Sequence, residues 1–352
     1  MPAPIDVITN WRDERISEII DVRSPAEFAD DHIPGAINLP VFTNEQRAHI
    51  GTLYKQTSPF VARREGAALV SANIAHHIET TLCDRPENWR PLIHCWRGGQ
   101  RSRAFAHICG EIGWASFLLE GGYKTYRGAV LDSLKQAFSD HQICIISGAT
   151  GTGKTHLLHA LARKGAQTLD LEGLAQHKGS LLGAVPGQEQ PSQRFFESRL
   201  FKEMEALDKN KVTFIEAESS RVGNVSLPMS LWHKMAKAPK IELQASLPTR
   251  LILLKQDYAH LMTPDNRVLD SLITGMVTRH GHEMTQNWRQ ILQTQDYDTF
   301  ITQILQDHYD PAYQRATAKH DRPLVDTVML SGPLLRDFES CADEILKFMK
   351  QK

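Results

Sequence analysis

Short, wholly apolar runs alternate with amphipathic stretches along most of the chain. Residues 19–22 and Pro91–His94 read as buried strands, and 101–112 as a helix. Residues 117–119 read as a further strand, closed by the Gly121-Gly122 turn. A second series restarts downstream: 143–147 as a strand, 154–164 as a helix, 167–171 as a strand. Val212–Glu216 and 251–254 add two β-branched or leucine-rich runs suited to a parallel sheet. From about Val268 the apolar positions fall at helical spacing, through Ile301, Ile304 and Leu305. The polar stretch 135–142 separates the two series. The pattern predicts two α/β domains, residues 1–136 and 143–352, the second a parallel-sheet domain with a helical C-terminal extension.

Composition narrows the class. A length of 352 residues suits two domains at roughly 150 residues each. With 41% hydrophobic and 23% charged residues, a disordered or fibrous chain is excluded. No run of about 18 apolar residues occurs, so no membrane span is expected. The N-terminus lacks the basic, apolar, small-residue series of an export signal, so the expected compartment is the cytoplasm. Cysteines at 83, 95, 109, 144 and 341 form no C-x-x-C pair, which favours reduced thiols over disulfides or structural zinc. The balance of 40 basic and 41 acidic residues means that a nucleic-acid partner would need a local basic patch.

Two loops carry chemistry. In the first, His94-Cys95-Trp96-Arg97-Gly98-Gly99-Gln100-Arg101-Ser102 joins a predicted strand to a predicted helix. The helix N-terminus there favours thiolate over thiol, and Gly98 and Gly99 let successive N–H groups curl around an anion. Arg101 is expected to grip a tetrahedral oxyanion, and Ser102 to hydrogen-bond the sulfur. In the second, Gly148-Ala149-Thr150-Gly151-Thr152-Gly153-Lys154-Thr155 fits G-x-x-x-x-G-K-[ST] between a strand and a helix, the context that makes it a P-loop. Gly148, Gly151 and Gly153 let the loop wrap phosphate, Lys154 supplies a cation, and Thr155 is a candidate Mg²⁺ ligand. Glu216, ending the strand Val212–Glu216, is the candidate acidic partner for that ion, with Glu218 two residues on.

Asp21-Val22-Arg23-Ser24-Pro25-Ala26-Glu27-Phe28, with His32-Ile33-Pro34-Gly35-Ala36-Ile37-Asn38-Leu39-Pro40, closely resembles the opening of rhodanese domains. Leu119-Glu120-Gly121-Gly122-Tyr123 resembles their closing strand and turn. Typical rhodanese loops place the arginine one residue nearer the cysteine. The H-C-x5-R-S spacing here is that of cysteine-dependent phosphatases, and implies room for a larger tetrahedral anion such as phosphate or selenophosphate. A rhodanese-like domain followed by a P-loop NTPase-like domain resembles the tRNA 2-selenouridine synthase family. Stretches around Asp170–Ala175, His177–Ser180, Gln193 with Phe196-Glu197, Ile215–Gly223 and His308–Tyr313 are similar to segments of that family.

The resemblance implies replacement of sulfur by selenium at a wobble 2-thiouridine of tRNA, with selenophosphate as donor and an S-geranyl intermediate made from geranyl diphosphate. It implies that Cys95 attacks selenium and expels phosphate, leaving a perselenide, with Arg101 and Arg97 receiving the phosphate oxygens. The P-loop would take geranyl diphosphate or a nucleotide; the motif recognises phosphates alone. No tightly bound cofactor is expected beyond Mg²⁺. For tRNA the candidate surface is Arg63-Arg64, Arg103, Lys124 with Tyr123 and Tyr126-Arg127, and Arg194 with Arg199. His76-His77, His156 and His159 lack cysteine or carboxylate partners at ligand spacing and are not expected to hold metal. The alternatives are a cysteine-dependent phosphatase or sulfurtransferase, which leaves the P-loop without a task, and a non-catalytic P-loop module whose rhodanese domain only recognises a partner.

Overall fold

Each half of the chain is built on a five-stranded, all-parallel sheet. The computed structural model describes residues 1–350 apart from 137, 180–182, 185, 264, 266 and 318–321. Strands β1 (Ile5–Ile8), β2 (Glu18–Asp21), β3 (Ile37–Asn38), β4 (Pro91–His94) and β5 (Ser116–Leu119) lie in the order β1-β5-β4-β2-β3. All four residues of β4 are buried, His94 included, as expected for a central parallel strand. Ile20, Val22, Ile93, Phe105 and Leu118 centre the core, and the helix Gln100–Ile112 follows β4 and stops at Gly113, whose φ is 113°.

In the second half β6 (Gln142–Ser147), β7 (Gln167–Leu169), β8 (Val212–Glu216), β11 (Lys240–Ala245) and β12 (Leu324–Leu330) lie in the order β12-β11-β6-β8-β7. A small antiparallel ribbon, β9 (Arg221–Val222) with β10 (Val225–Ser226), lies outside this sheet. Ile146, Leu157, Phe214, Leu243, Val328 and Ile345 form the sheet's core. A separate helical cluster, with Leu269, Ile273, Trp288, Phe300 and Ile304, belongs to the C-terminal extension, whose helices include Arg267–Gln293 and Tyr297–Ile304.

Three sequence expectations are corrected. Residues 251–254 are not a strand but lie within the helix Leu247–Asp257, started by Ser246, whose Oγ accepts from the Thr249 amide, and by a proline in the first turn. A four-residue apolar run does not separate the two states, and Ile252 is 44% exposed, unlike a residue of a central strand. The strands that complete the sheet are β11 and β12, whose buried residues alternate, so that β12 interrupts the expected helical extension. Leu171 ends no strand: it opens the short helix Leu171–Ala175, capped by Asp170 accepting from the Gly173 amide at 2.7 Å.

By contacts the chain forms two units, Met1–Leu134 with Pro191–Lys202, and Lys135–Gln190 with Glu203–Lys352. The first part of the helix Gln193–Ala206 thus packs with the first unit. Arg194 pairs with Asp30 at 2.7 Å, Glu197 with Arg127, and the Phe195 ring lies 4.1 Å from that of His32. Among the described residues no helix is long and apolar enough to cross a membrane.

The turn after β5 fixes the loop after β4. Amides of Tyr123 and Lys124, opening the helix Tyr123–Lys135, donate to the carbonyls of Cys95 (2.9 Å) and Trp96 (3.1 Å). Gly122, at φ 61°, lies so close that a Cβ would sit 2.2 Å from the Cys95 carbonyl oxygen. Gly122→Ala is therefore expected to destabilise by about 2–5 kcal/mol, adding overpacking to left-handed strain. Gly128→Ala, mid-helix with open space around the added methyl, should stabilise by about 0.5–1 kcal/mol. Urea unfolding of the full chain checks both signs; a Gly122→Ala midpoint equal to the parent's would contradict the close approach.

Candidate functional site

The loop after β4 begins with a cysteine whose sulfur faces the start of the next helix. Cys95 is 3% exposed; its Sγ accepts from the Gly99 amide at 3.2 Å and from Ser102 Oγ at 3.3 Å. Burial opposes a charged sulfur, but the Ser102 hydrogen bond and the Arg101 charge outweigh it, so the thiol titrates below its ordinary range. Gly98 is required at φ 64°, where a Cβ would lie 2.8 Å from the Leu119 carbonyl oxygen. Arg97 and Trp96 are exposed at the loop's outer edge.

Residues far away in sequence brace this loop. Arg101 donates to Glu27 Oε2 at 2.9 Å, and the Ser24 amide donates to the same carboxylate oxygen at 3.1 Å. Burial would push the Glu27 carboxyl up, but Arg101, Ser24 and Arg47 hold it below the usual range, so it stays an anionic clamp. Beneath it, Arg23 and Asp21 form a buried pair at 2.5 Å, and the Arg23 guanidinium stacks 3.9 Å from the centre of the Tyr123 ring. Asp21 too is driven up by burial and held down by His94 and Arg23. The stretch Asp21–Phe28 therefore supports the arginine of the cysteine loop. Sequence reading missed Glu27 in this role; its signal was the Ser-x-x-Glu capping box.

The second loop follows β6, the middle strand of its sheet. Gly148, Gly151 and Gly153 all have positive φ, and Lys154 Nζ donates to the Gly148 carbonyl at 3.2 Å. Thr155 Oγ1 lies 2.8 Å from Glu216 and 3.1 Å from Glu172. Among the described residues, Glu172, Glu216 and Glu218 bring carboxylate oxygens within 4.8 Å of one another. Burial and mutual repulsion push Glu172 and Glu216 up to about 8 and Glu218 to about 7. Hard oxygen donors crowded against a hydroxyl suit a divalent cation such as Mg²⁺. Glu172 was missed from sequence because it lies on the helix after β7. The surrounding cleft, about 580 Å³, is also lined by His156, His159, Lys178, Tyr309 and Tyr313. His159 binds Asp170 at 2.9 Å, an interaction that raises its pKa. Arg250 donates to the Thr150 carbonyl at 2.9 Å and grips Asp310 at 2.6 and 3.0 Å, so part of the His308–Tyr313 stretch braces the P-loop. Ser180, in another family-like stretch, lies outside the described residues.

The basic residues singled out for tRNA divide. Arg63, Arg64, Arg103 and Lys124 are exposed. Arg127 and Arg194 are instead tied to Glu197 and Asp30, and Arg199 is half-buried. Tyr123 and Tyr126 cannot stack on bases: they are 2% and 1% exposed, and Tyr123 Oη donates to Asp31 at 2.7 Å. Their spacing of three on one helix face marks a core stripe.

Known proteins match both halves. The rhodanese-like domain model matches residues 6–129, and the model of the tRNA 2-selenouridine synthase AAA domain matches residues 141–329. Proteins named tRNA 2-selenouridine synthase are similar over most of the chain. That of Marinobacter nauticus is 33% identical over 87% of this chain and 90% of its own length. That of Psychromonas ingrahamii is 31% identical over 84% and 87%. That of Nitrosomonas europaea is 36% identical over 70% of this chain, which spans 64% of that longer relative. With a cysteine loop after one central strand, a P-loop after the other and these matches in the same order, the chain belongs to the tRNA 2-selenouridine synthase family.

Proposed function

We propose that the protein is a tRNA-modifying transferase that converts wobble 2-thiouridine to 2-selenouridine. Geranyl diphosphate would be used at the P-loop and selenophosphate at Cys95. The observation that carries the reading is the lowered-pKa Cys95 thiol, held by the Gly99 amide and the Ser102 hydroxyl beside the Arg101 charge, in one chain with a P-loop. The names of the relatives support tRNA as the substrate.

At the P-loop, the thiouridine sulfur attacks the allylic carbon of geranyl diphosphate. The C–O bond breaks, and diphosphate leaves with the electron pair, its growing charge met by loop amides and Lys154. At Cys95, the thiolate attacks phosphorus of selenophosphate; the P–Se bond breaks and selenide leaves with the electron pair. Water then cleaves the cysteinyl phosphate to inorganic phosphate. Selenide adds to C2 of the S-geranyl base, and the C–S bond breaks to release geranyl thiol. Attack on selenium, the route the family resemblance implies, would send phosphorus away with the bonding pair as P(III) phosphite; releasing phosphate instead would need an oxidant that no substrate supplies. A cysteine-dependent phosphatase loop is shaped for the phosphorus route. Thr155 and Glu216, with Glu172 and Glu218 beside them, would hold Mg²⁺, which when bound neutralises charge on diphosphate oxygens.

Cys95→Ser should abolish selenation while leaving geranylation and tRNA binding intact, because a serine hydroxyl is no comparable nucleophile at neutral pH. Nucleoside mass spectrometry reads both products, and near-parental selenation would sink the assignment. Replacing Cys83, Cys109, Cys144 or Cys341 should be far milder.

Lys154→Ala should slow geranylation by about 10²–10³. Pre-geranylated tRNA should restore most of its selenation. Selenation that stays equally poor on that substrate would mean that the P-loop serves more than the first step.

The carboxyl cluster gives a pH signature. Its folded pKa values, about 7–8, lie above the unfolded 4.5, so the folded state binds more protons and stability falls as pH rises through that interval. Millimolar Mg²⁺ should therefore raise the melting temperature more at about pH 8.5 than at about pH 6. Glu216→Gln should shrink the difference; equal Mg²⁺ effects at both pH values would contradict a cation site there.

A further inference from the structure

Alkylation of a 2-thiouridine at sulfur leaves one proton to be placed. The nucleobase enters with hydrogen on N3 and leaves with a C2=N3 double bond and no hydrogen there, so each turnover releases a proton. Lys154 as an ammonium only donates, and the carboxyl groups of Glu172, Glu216 and Glu218 crowd the candidate cation site. Among the described residues, His156, His159 and His177 also line the P-loop cleft. His156 Nε2 lies 3.5 Å from Asp257, a carboxylate that Lys178 holds at 3.2 Å. His177 has a buried Nδ1 with no hydrogen-bond partner. His159 differs from both. It stands four residues after Thr155 on the helix Lys154–Arg163, hence on the same helix face. Its Nε2 lies 2.9 Å from Asp170 Oδ2, while Asp170 Oδ1 accepts from the Gly173 amide at 2.7 Å. The carboxylate that meets the ring is therefore itself anchored.

We infer that His159 is the general base that takes the N3 proton in the alkylation step, with Asp170 its positioning residue. This rests on the reading of the P-loop cleft as the place where geranyl diphosphate is used. A carboxylate only accepts, so Nε2 of His159 carries the hydrogen and Nδ1 keeps the lone pair. The side chain is 51% exposed, which leaves it open to a nucleobase entering the cleft. As the sulfur attacks the allylic carbon, the N3–H bond breaks and its proton goes to Nδ1. The N–H bonding pair becomes the C2=N3 π bond, the C=S π pair becomes the new S–C bond, and diphosphate leaves with the C–O pair. The imidazolium then returns its proton to water. Proton removal in step with alkylation keeps positive charge off the nucleobase and makes its sulfur the better nucleophile. A carboxylate that fixes the tautomer of a histidine is the arrangement that such a base requires.

The test is steady-state geranylation by the full-length protein, with 2-thiouridine-bearing tRNA, geranyl diphosphate and Mg²⁺, read by nucleoside mass spectrometry. His159→Ala should lower kcat by about 10²–10⁴-fold while both KM values stay within about threefold. Added imidazole, a diffusible base of the same chemistry, should recover about tenfold or more of that rate, which a merely structural loss would not allow. Asp170→Asn keeps an oxygen for the Gly173 amide but turns an NH₂ group toward His159, favouring the wrong tautomer; its kcat alone should fall by about tenfold or more. Selenation of pre-geranylated tRNA should stay within about twofold in both variants. His159→Asn, which still donates to Asp170, is the second variant should His159→Ala lose its circular-dichroism signal, and its kcat should fall likewise. A folded His159 variant at the parental rate, a loss confined to KM, or an alanine variant that imidazole leaves unchanged would overturn the general base and leave the P-loop reading standing. Absence of geranylation by the parent chain would overturn the P-loop reading itself, and the inference with it.

Discussion

Where a buried parallel strand gives way to a helix through a glycine turn, several backbone amides converge on one point with no carbonyl to answer them. Both halves of this chain are organised around such a point, after β4 and after β6, each with parallel neighbours on both sides. Both need a device that turns loop carbonyls outward. In the first, the amides of Tyr123 and Lys124 hold the carbonyls of Cys95 and Trp96; in the second, Arg250 and Lys154 hold those of Thr150 and Gly148. The inward faces then diverge. The first gathers a thiol and Arg101, whereas the second sets Lys154 and Thr155 near three carboxyl groups whose mutual repulsion raises their pKa values, a crowding that a cation would relieve.

Residues that are neighbours in sequence were legible from sequence. Cys95, Gly98, Gly99, Arg101 and Ser102 fall within eight positions, and the P-loop within another eight, so motif spacing carried most of their geometry. The bracing was not legible in this way. Glu27 is paired with an arginine 74 positions away, Arg250 with Asp310 60 away, and Thr155 with Glu216 61 away. A charged residue in a sequence carries its sign but not its partner, and so Arg127 and Arg194, bound by Glu197 and Asp30, looked available for tRNA.

Secondary structure failed where local signals were ambiguous rather than absent. The run at 251–254 is apolar enough for a strand, but the serine and proline ahead of it start a helix. β12 pairs with a strand some eighty positions earlier, and its alternation is confined to seven residues behind a long helical region. Tyr123 and Tyr126 showed the opposite error: aromatic residues beside Lys124 and Arg127 resembled a stacking surface, while their helical spacing already marked them as core.

The excursion of residues 191–202 bears on how the protein is made. The first unit's set of contacts includes Arg194 on Asp30, Glu197 on Arg127 and Phe195 against His32, and it is incomplete when residue 134 emerges. The ribosome must first deliver β6, the P-loop and β7 of the second half before it reaches the helix Gln193–Ala206. That is roughly 70 residues later, or about 4–14 s at 5–20 residues per second. During that interval Asp30 and Arg127 lie without Arg194 and Glu197, so synthesis order gives this first unit a waiting period that a rhodanese-like fold complete at residue 134 would not have.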